Sequence, residues 1–177
     1  MTQAAARCTR GGGVGDGADH GALARWRLPV PDDVVVARQV ARVYLERFGL
    51  GAERADQAEL VVSELVTNAL RHGAAPVELR VWPCPLRCVV VEVRDAKDCP
   101  LPLPSPVAPW DLTPWTESGR GLALVTELSG GYCGTVPLAA AGKSVWAALA
   151  ADSPLVCPRA LTAFVDSRVR SDLPGLP

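Results

Sequence analysis

The chain has 177 residues, of which 49% are hydrophobic and 21% charged, so it is long enough to bury one sizeable core. Its 18 lysines and arginines nearly balance its 19 aspartates and glutamates, and a formal net charge of −1 does not favour nucleic-acid binding. No apolar run approaches the roughly 18 residues of a membrane-spanning helix, and residues 1–21 contain no apolar stretch typical of a secretory signal. We therefore expect a single cytoplasmic domain that contacts neither nucleic acid nor membrane.

The hydrophobic patterning predicts a regular series of elements after a glycine-rich, disordered tail over 1–21. These elements are a strand over 24–28, a helix capped by Asp32 or Asp33 and running to 48, a helix over 54–72, strands over 77–82 and 87–94, a helix over 121–129, and strands over 131–136 and 143–150. Residues 83–85 are expected to turn the chain.

Two segments lack a regular pattern. Residues 96–118 contain six prolines, which predicts either a functional lid or disorder. The pattern of residues 152–177 predicts a C-terminal tail with at most a weak helical turn over 161–169. The domain itself is expected to span 22–151, and its order of elements predicts an α/β sandwich with a mixed sheet and helices on one face.

The cysteines give no sign of a disulfide framework or of a strong metal site. The chain has six cysteines, and Cys84 and Cys88 lie four positions apart, but only His20 and His72 could join them as zinc ligands. Tetrahedral zinc needs four such ligands, so free thiols, buried or half-buried, are the better interpretation.

The helix over 54–72 carries the first candidate site. Glu64, Asn68 and His72 are spaced four apart, so a carboxylate, an amide and an imidazole lie in a row at the border of the helix's apolar stripe. The alternative interpretation is an amphipathic helix with an ordinary polar flank.

The second candidate site combines the end of one strand with the start of a helix. Asp95 follows the valine-rich strand, and Gly119 and Gly121 open the helix after the proline-rich segment. Paired glycines at a helix start leave backbone N–H groups free to bind an anion. Neither the dinucleotide fingerprint nor a Walker A sequence is present.

In this order and combination, residues 64–72, 93–95, 119–122 and 142–146 resemble the ATPase domain shared by histidine kinases, gyrase and MutL. Within that superfamily they look most like the anti-sigma factor serine/threonine kinases, over about residues 26–150. The resemblance implies a Bergerat-type ATP-binding fold, a two-layer α+β sandwich whose mixed, mainly antiparallel sheet is covered on one face by about three helices.

The resemblance also implies roles for individual residues toward ATP and Mg²⁺. Asn68 would hold Mg²⁺, Asp95 would accept a hydrogen bond from the adenine amino group, and Glu64 would act as general base. His72 would lie near the phosphates, or cap helix carbonyls, and Ser144 would join the hydrogen bonds beside Asp95 unless it is an ordinary strand serine. The phosphates would be wrapped by Gly119, Arg120, Gly121 and Leu122, with residues 96–118 as the lid.

The sequence departs from the family pattern after Asp95. Lys97 and Cys99 stand where the family often has glycines, and a left-handed backbone at Lys97 would cost about 1–2 kcal/mol. Alternatively, the loop takes another path, with Lys97 pointing to solvent or to a phosphate.

The resemblance implies a kinase that phosphorylates an anti-anti-sigma protein of the STAS type and sequesters a sigma factor or other transcriptional regulator, with a homodimer as one assembly. The alternatives are an ATP-sensing binding module without phosphoryl transfer and a scaffold that binds no nucleotide.

Overall fold

The structure is a computed structural model that describes residues 24–28, 33–98, 120–138, 141–150 and 158–171. In these residues it has five strands and four helices. They are β1 (Ala24–Leu28), α1 (Asp33–Arg47), α2 (Ala52–His72), β2 (Val77–Cys84), β3 (Cys88–Asp95), α3 (Arg120–Leu128), β4 (Cys133–Pro137), β5 (Lys143–Ala150) and α4 (Pro158–Ser171). The predicted tail over 1–21 and most of the predicted lid lie outside the described residues.

The strands form one sheet in the order β1-β2-β3-β5-β4. Each neighbouring pair in this sheet is antiparallel, so the predicted α+β fold is confirmed and its sheet is antiparallel rather than mixed. The pairing of β3 with β5 places Asp95 directly opposite Lys143. This register determines the geometry of the candidate site.

The main core lies between one face of the sheet and helices α1, α2 and α3, as predicted. Alternate residues of β3, namely Val89, Val91 and Val93, point into this core because successive side chains in a strand face opposite ways. The helices contribute residues at helical spacing, of which Leu65 and Val125 are examples. This packing holds α2 and α3 side by side above the sheet.

The fourth helix corrects the expectation of a C-terminal tail. Leu161, Val165 and Val169 are spaced four apart on α4 and pack on the second face of the sheet. Every residue of β3 is buried, which requires cover on both faces. The continuous valine-rich run of β3 was therefore the sequence signal for a second layer, since a strand open to water on one face alternates apolar and polar residues.

The turn between β2 and β3 comes later than expected. β2 continues through Pro83 to Cys84, and the chain turns over 85–87, where Arg87 has a φ of 59°. The pairing of β1 with β2 ends at Val81, so no residue of β1 lies opposite Pro83. A proline has no backbone N–H, and at this position β1 offers no acceptor that such a group would bind. A proline is therefore tolerated at this end of the strand.

Within the parts of the chain that the structure describes, none of the helices combines the length and the apolar character that crossing a membrane requires.

Candidate functional site

A row of polar side chains follows one side of α2. Glu64 and Asn68 are half-buried, and His72 is exposed at the last position of the helix. The adjacent side of the helix is buried in the core through residues such as Leu65 and Ala69. The row thus lies at the border of core and surface, where side chains can face a ligand while the helix stays anchored.

Glu64 lies against the start of α3. A Cβ atom at position 121 would overlap Oε2 of Glu64, so the glycine leaves the space that the carboxylate occupies. The first N–H groups of a helix have no partner within it and carry the positive end of the helix dipole. A carboxylate and the start of a helix are therefore neighbours where the sequence predicts phosphate binding.

The other residues predicted to wrap phosphates are only partly described. Gly119 and the side chain of Arg120 lie outside what the structure describes. The side chain of Leu122 is 7% exposed and packs in the main core, so its backbone is the part that can face a ligand.

Asn68 has a buried polar atom without a hydrogen-bond partner in the described residues. This atom is the side-chain amide nitrogen, Nδ2. Leaving such a group unpaired costs roughly 1–3 kcal/mol, and buried polar groups are usually paired with protein, water or a ligand. The Nδ2 donor of Asn68 is thus available to an acceptor atom of a bound group, one helical turn from Glu64.

Asp95 is the most highly connected residue of the site and is only 3% exposed. Its Oδ1 accepts hydrogen bonds from the backbone N–H groups of Ala74, at 3.3 Å, and Lys97, at 2.9 Å. The Lys143 ammonium donates to Oδ1 at 3.0 Å and lies 2.9 Å from Oδ2. A Cβ atom at Gly73 would stand 2.6 Å from Cγ of Asp95, so the turn after α2 needs glycine to let the carboxylate approach.

Comparison with protein families matches residues 29–147, which is more than half of the chain, to the histidine kinase-like ATPase domain. The chain belongs to this family. Comparison with curated proteins gives no match.

The histidine kinase-like ATPase domain is an ATP-binding domain, typically with Mg²⁺. The unpartnered Nδ2 of Asn68 is a hydrogen-bond donor and fits a phosphate oxygen of this ligand, whereas Mg²⁺ would be held by the amide oxygen of the same side chain. In the described ranges, no group of three or more His, Cys, Asp and Glu side chains is arranged to hold a metal ion by itself.

Lys143 is the site residue that sequence reasoning missed. In the sequence, Lys143 is only one residue of the segment 142–146, and neither its spacing nor the family resemblance assigns it a role. The side chains of Lys143 and Asp95 are 8% and 2% exposed, so the two charges form a buried pair. Its role could have been predicted from the antiparallel pairing of β3 with β5, because this pairing places the end of β3 opposite the start of β5.

Ser144 does not join the hydrogen bonds beside Asp95. Its hydroxyl is completely buried and donates to Oε1 of Glu92 at 2.9 Å, on the face of the sheet covered by α4. The reason is the period of two in a strand: with Lys143 directed at Asp95, the next residue must face the other way. Glu92 also accepts a hydrogen bond from Nε1 of Trp82 at 3.1 Å.

The backbone of Lys97 is not left-handed, because Arg87 is the one non-glycine residue with positive φ in the described ranges. The predicted left-handed strain at Lys97 is therefore wrong, and the described start of the loop takes another path. The exposed Lys97 ammonium donates to the backbone carbonyl of His72 at 2.8 Å, at the negative end of α2. Cys99, the second departure from the family pattern, lies outside the described residues.

Two thiols lie together at the far end of the β2–β3 hairpin. Cys84 and Cys88 are direct cross-strand partners, and both are buried and free. The Cys88 thiol donates a hydrogen bond to the sulfur of Cys84, which lowers the pKa of Cys84 to about 7 against the opposing effect of burial. The same hydrogen bond, together with burial, raises the pKa of Cys88.

Proposed function

We propose that the protein is a serine/threonine kinase of the anti-sigma factor type, which uses Mg-ATP to phosphorylate a serine of a STAS-type anti-anti-sigma protein. In the same proposal it sequesters a sigma factor or another transcriptional regulator, as a monomer or a homodimer. The observation that carries the proposal is the position of the Glu64 carboxylate against Gly121, at the start of α3.

Phosphoryl transfer needs little covalent help from the protein, but it needs a positioned nucleophile and charge stabilisation. The hydroxyl oxygen of the partner's serine attacks the γ-phosphorus, the bond to the β–γ bridging oxygen breaks, and ADP leaves. The hydroxyl proton passes to the carboxylate of Glu64, which lies beside the helix start that would face the phosphates. Mg²⁺, held by Asn68, would neutralise charge on the phosphate oxygens.

The adenine base of ATP would lie at the C-terminal end of α2, near the turn at Gly73. Asp95 would supply the polar anchor of this region, where the backbone N–H groups of Ala74 and Lys97 hold its carboxylate.

One observation favours a second function, an ATP-sensing binding module that transfers no phosphate. Lys143 already pairs with both oxygens of Asp95, so the acceptor expected for the adenine amino group is shared with a cation of the protein itself. Such a site binds nucleotide more weakly, and a regulator needs only binding.

Two measurements on the purified protein separate these functions. Calorimetric titration with Mg-ATP should give a Kd of about tens to hundreds of micromolar. Incubation with labelled ATP and candidate STAS-type proteins of the same genome should label a serine of one of them.

The Glu64→Gln variant should slow labelling by about 10²–10⁴-fold with little change in Kd. Glu53→Gln serves as the matched control, because Glu53 is exposed in the first turn of the same helix. Binding without labelling of any partner would favour the sensing module. No heat of binding and no thermal stabilisation at millimolar ATP would leave the scaffold that binds no nucleotide.

A further inference from the structure

The Asp95–Lys143 pair places a hydrogen-bond acceptor and a hydrogen-bond donor side by side in the region proposed for the base. An ammonium group has three N–H donors, and Asp95 is the one side chain that the Lys143 ammonium contacts by a hydrogen bond in the described residues. An ionised carboxylate has about four lone-pair sites. Oδ1 of Asp95 takes three of the donors described above and Oδ2 takes one, so Oδ2 is the oxygen with room for another donor.

This arrangement is complementary to more than one purine. The 6-amino group and N1 of adenine form a donor beside an acceptor, which matches Asp95 and Lys143. The 6-oxo group and N1–H of a 6-oxopurine form an acceptor beside a donor, which matches the same two residues in the opposite order. A carboxylate alone would repel the 6-oxo group, because two acceptors would face each other.

We propose that Lys143 determines the base selectivity of the site and that its ammonium allows a 6-oxopurine nucleoside triphosphate to bind as well as ATP. The inference rests on the proposed nucleotide-binding function, and it concerns the base rather than the phosphates. Lys143 acts here as a specificity-determining residue.

The expected size of the effect follows from what would be left unpaired. A site that hydrogen-bonds one group of a ligand rejects the analogue lacking it by about 10⁴–10⁵-fold, because buried polar groups of the site lose their partners. With both an acceptor and a donor present, neither purine leaves such a group unpaired. The preference between the two purines should therefore be small in the wild-type protein.

Calorimetric titration with Mg-ATP and Mg-ITP tests the inference, because the two nucleotides differ only at position 6 and in the proton on N1. We expect the wild-type Kd values to lie within about tenfold of each other. Lys143→Met should weaken ITP binding at least tenfold more than ATP binding, since the cation that faces the 6-oxo group is gone.

Lys97→Met is the matched control, because it removes the same charge from an exposed position near the same turn and leaves the backbone N–H to Asp95 in place. The Lys97 ammonium is held by the backbone carbonyl of His72 and not by Asp95, so its removal should leave the ratio of the two Kd values unchanged.

The inference is overturned if the wild-type protein binds ATP more than about a hundredfold more tightly than ITP, or if Lys143→Met changes both Kd values by the same factor. In either case ATP still binds, and the proposed function stands. If neither nucleotide binds at millimolar concentration, the proposed function fails and the inference fails with it. Should Lys143→Met fail to fold, the wild-type ratio of ITP to ATP decides alone.

Discussion

The buried pair of Asp95 and Lys143 should dominate the stability of this end of the domain. Their side chains are 2% and 8% exposed, and the ammonium contacts both carboxylate oxygens. Removing one partner of a buried pair leaves the other charge uncompensated and typically costs about 3–5 kcal/mol, whereas replacing both by neutral groups of similar volume is often close to neutral. Two backbone N–H groups would still bind Asp95 after loss of the lysine, which places Lys143→Met near the lower end, at about 3 kcal/mol.

A double-mutant cycle measures the coupling directly. Free energies of unfolding from urea titration would be compared for the wild type, Lys143→Met, Asp95→Asn and the double variant. We expect the double variant to be at least about 2 kcal/mol more stable than the sum of the single losses predicts. Lys97→Met, at an exposed position, should change stability by no more than about 0.5 kcal/mol.

Additive losses across the cycle would refute this reasoning, because they would mean that the two side chains do not sense each other. So would a Lys143→Met protein as stable as the wild type. A typical domain is stable by only about 5–15 kcal/mol, so a loss of this size is well within the range of the measurement.

Two further predictions concern other parts of the molecule. Gly121→Ala should push the Glu64 carboxylate away by about 1 Å and lower the rate of phosphoryl transfer about a hundredfold. Gly51→Ala is the control, because a methyl group there meets nothing within 4 Å, and it should leave the transfer rate unchanged. Equal rates in both variants would contradict the role of the contact between Glu64 and Gly121. Alkylation of Cys84, followed against pH by mass spectrometry, should accelerate around pH 7, since its pKa is lowered to about 7 by the hydrogen bond from Cys88. In Cys88→Ala the acceleration should move to higher pH, and an unchanged midpoint would show that this hydrogen bond is not the cause.

Most of the fold could be predicted because its signals are local. The strand over 24–28 is bounded by prolines and the strand over 143–150 by glycine, and both are found where the pattern predicts them. The second helix ends at His72 because Gly73 follows it. Period-two and period-3.6 patterns depend only on neighbouring residues, so the composition of each segment was enough to identify its type.

The arrangement of the site could be predicted only in part, since it depends on contacts between distant segments. Glu64 and Asn68 share a helix, so their spacing alone places them together. Lys143 and Asp95 are 48 positions apart, and their contact requires the order and register of the strands. The face of Ser144 follows from the same register, which places its hydroxyl on Glu92 and not beside Asp95, where the family resemblance implied it.

The loop after Asp95 shows a different reason for a wrong prediction. The family pattern implied a glycine-like backbone at Lys97, and the structure reaches a workable loop without it by binding the Lys97 N–H to Oδ1 of Asp95 and the ammonium to the end of α2. A departure from a motif is thus not by itself a strained site, because a changed residue can bring its own contacts.

Stability and ligand selection are linked at one contact in this domain. The Lys143 ammonium already contacts both oxygens of Asp95 in the free protein, so a ligand that donates to Oδ2 must share that oxygen with the ammonium. A ligand that accepts from Lys143 has no such competitor, because the third N–H of the ammonium is the group it uses. Lys143 should therefore have opposite effects on the two properties: it stabilises the free domain while it reduces the advantage of a 6-amino purine. Lys143→Met should accordingly yield a less stable protein in which the ratio of the Kd for ITP to the Kd for ATP is higher than in the wild type. Such a trade-off between stability and function is common at sites whose polar groups serve both.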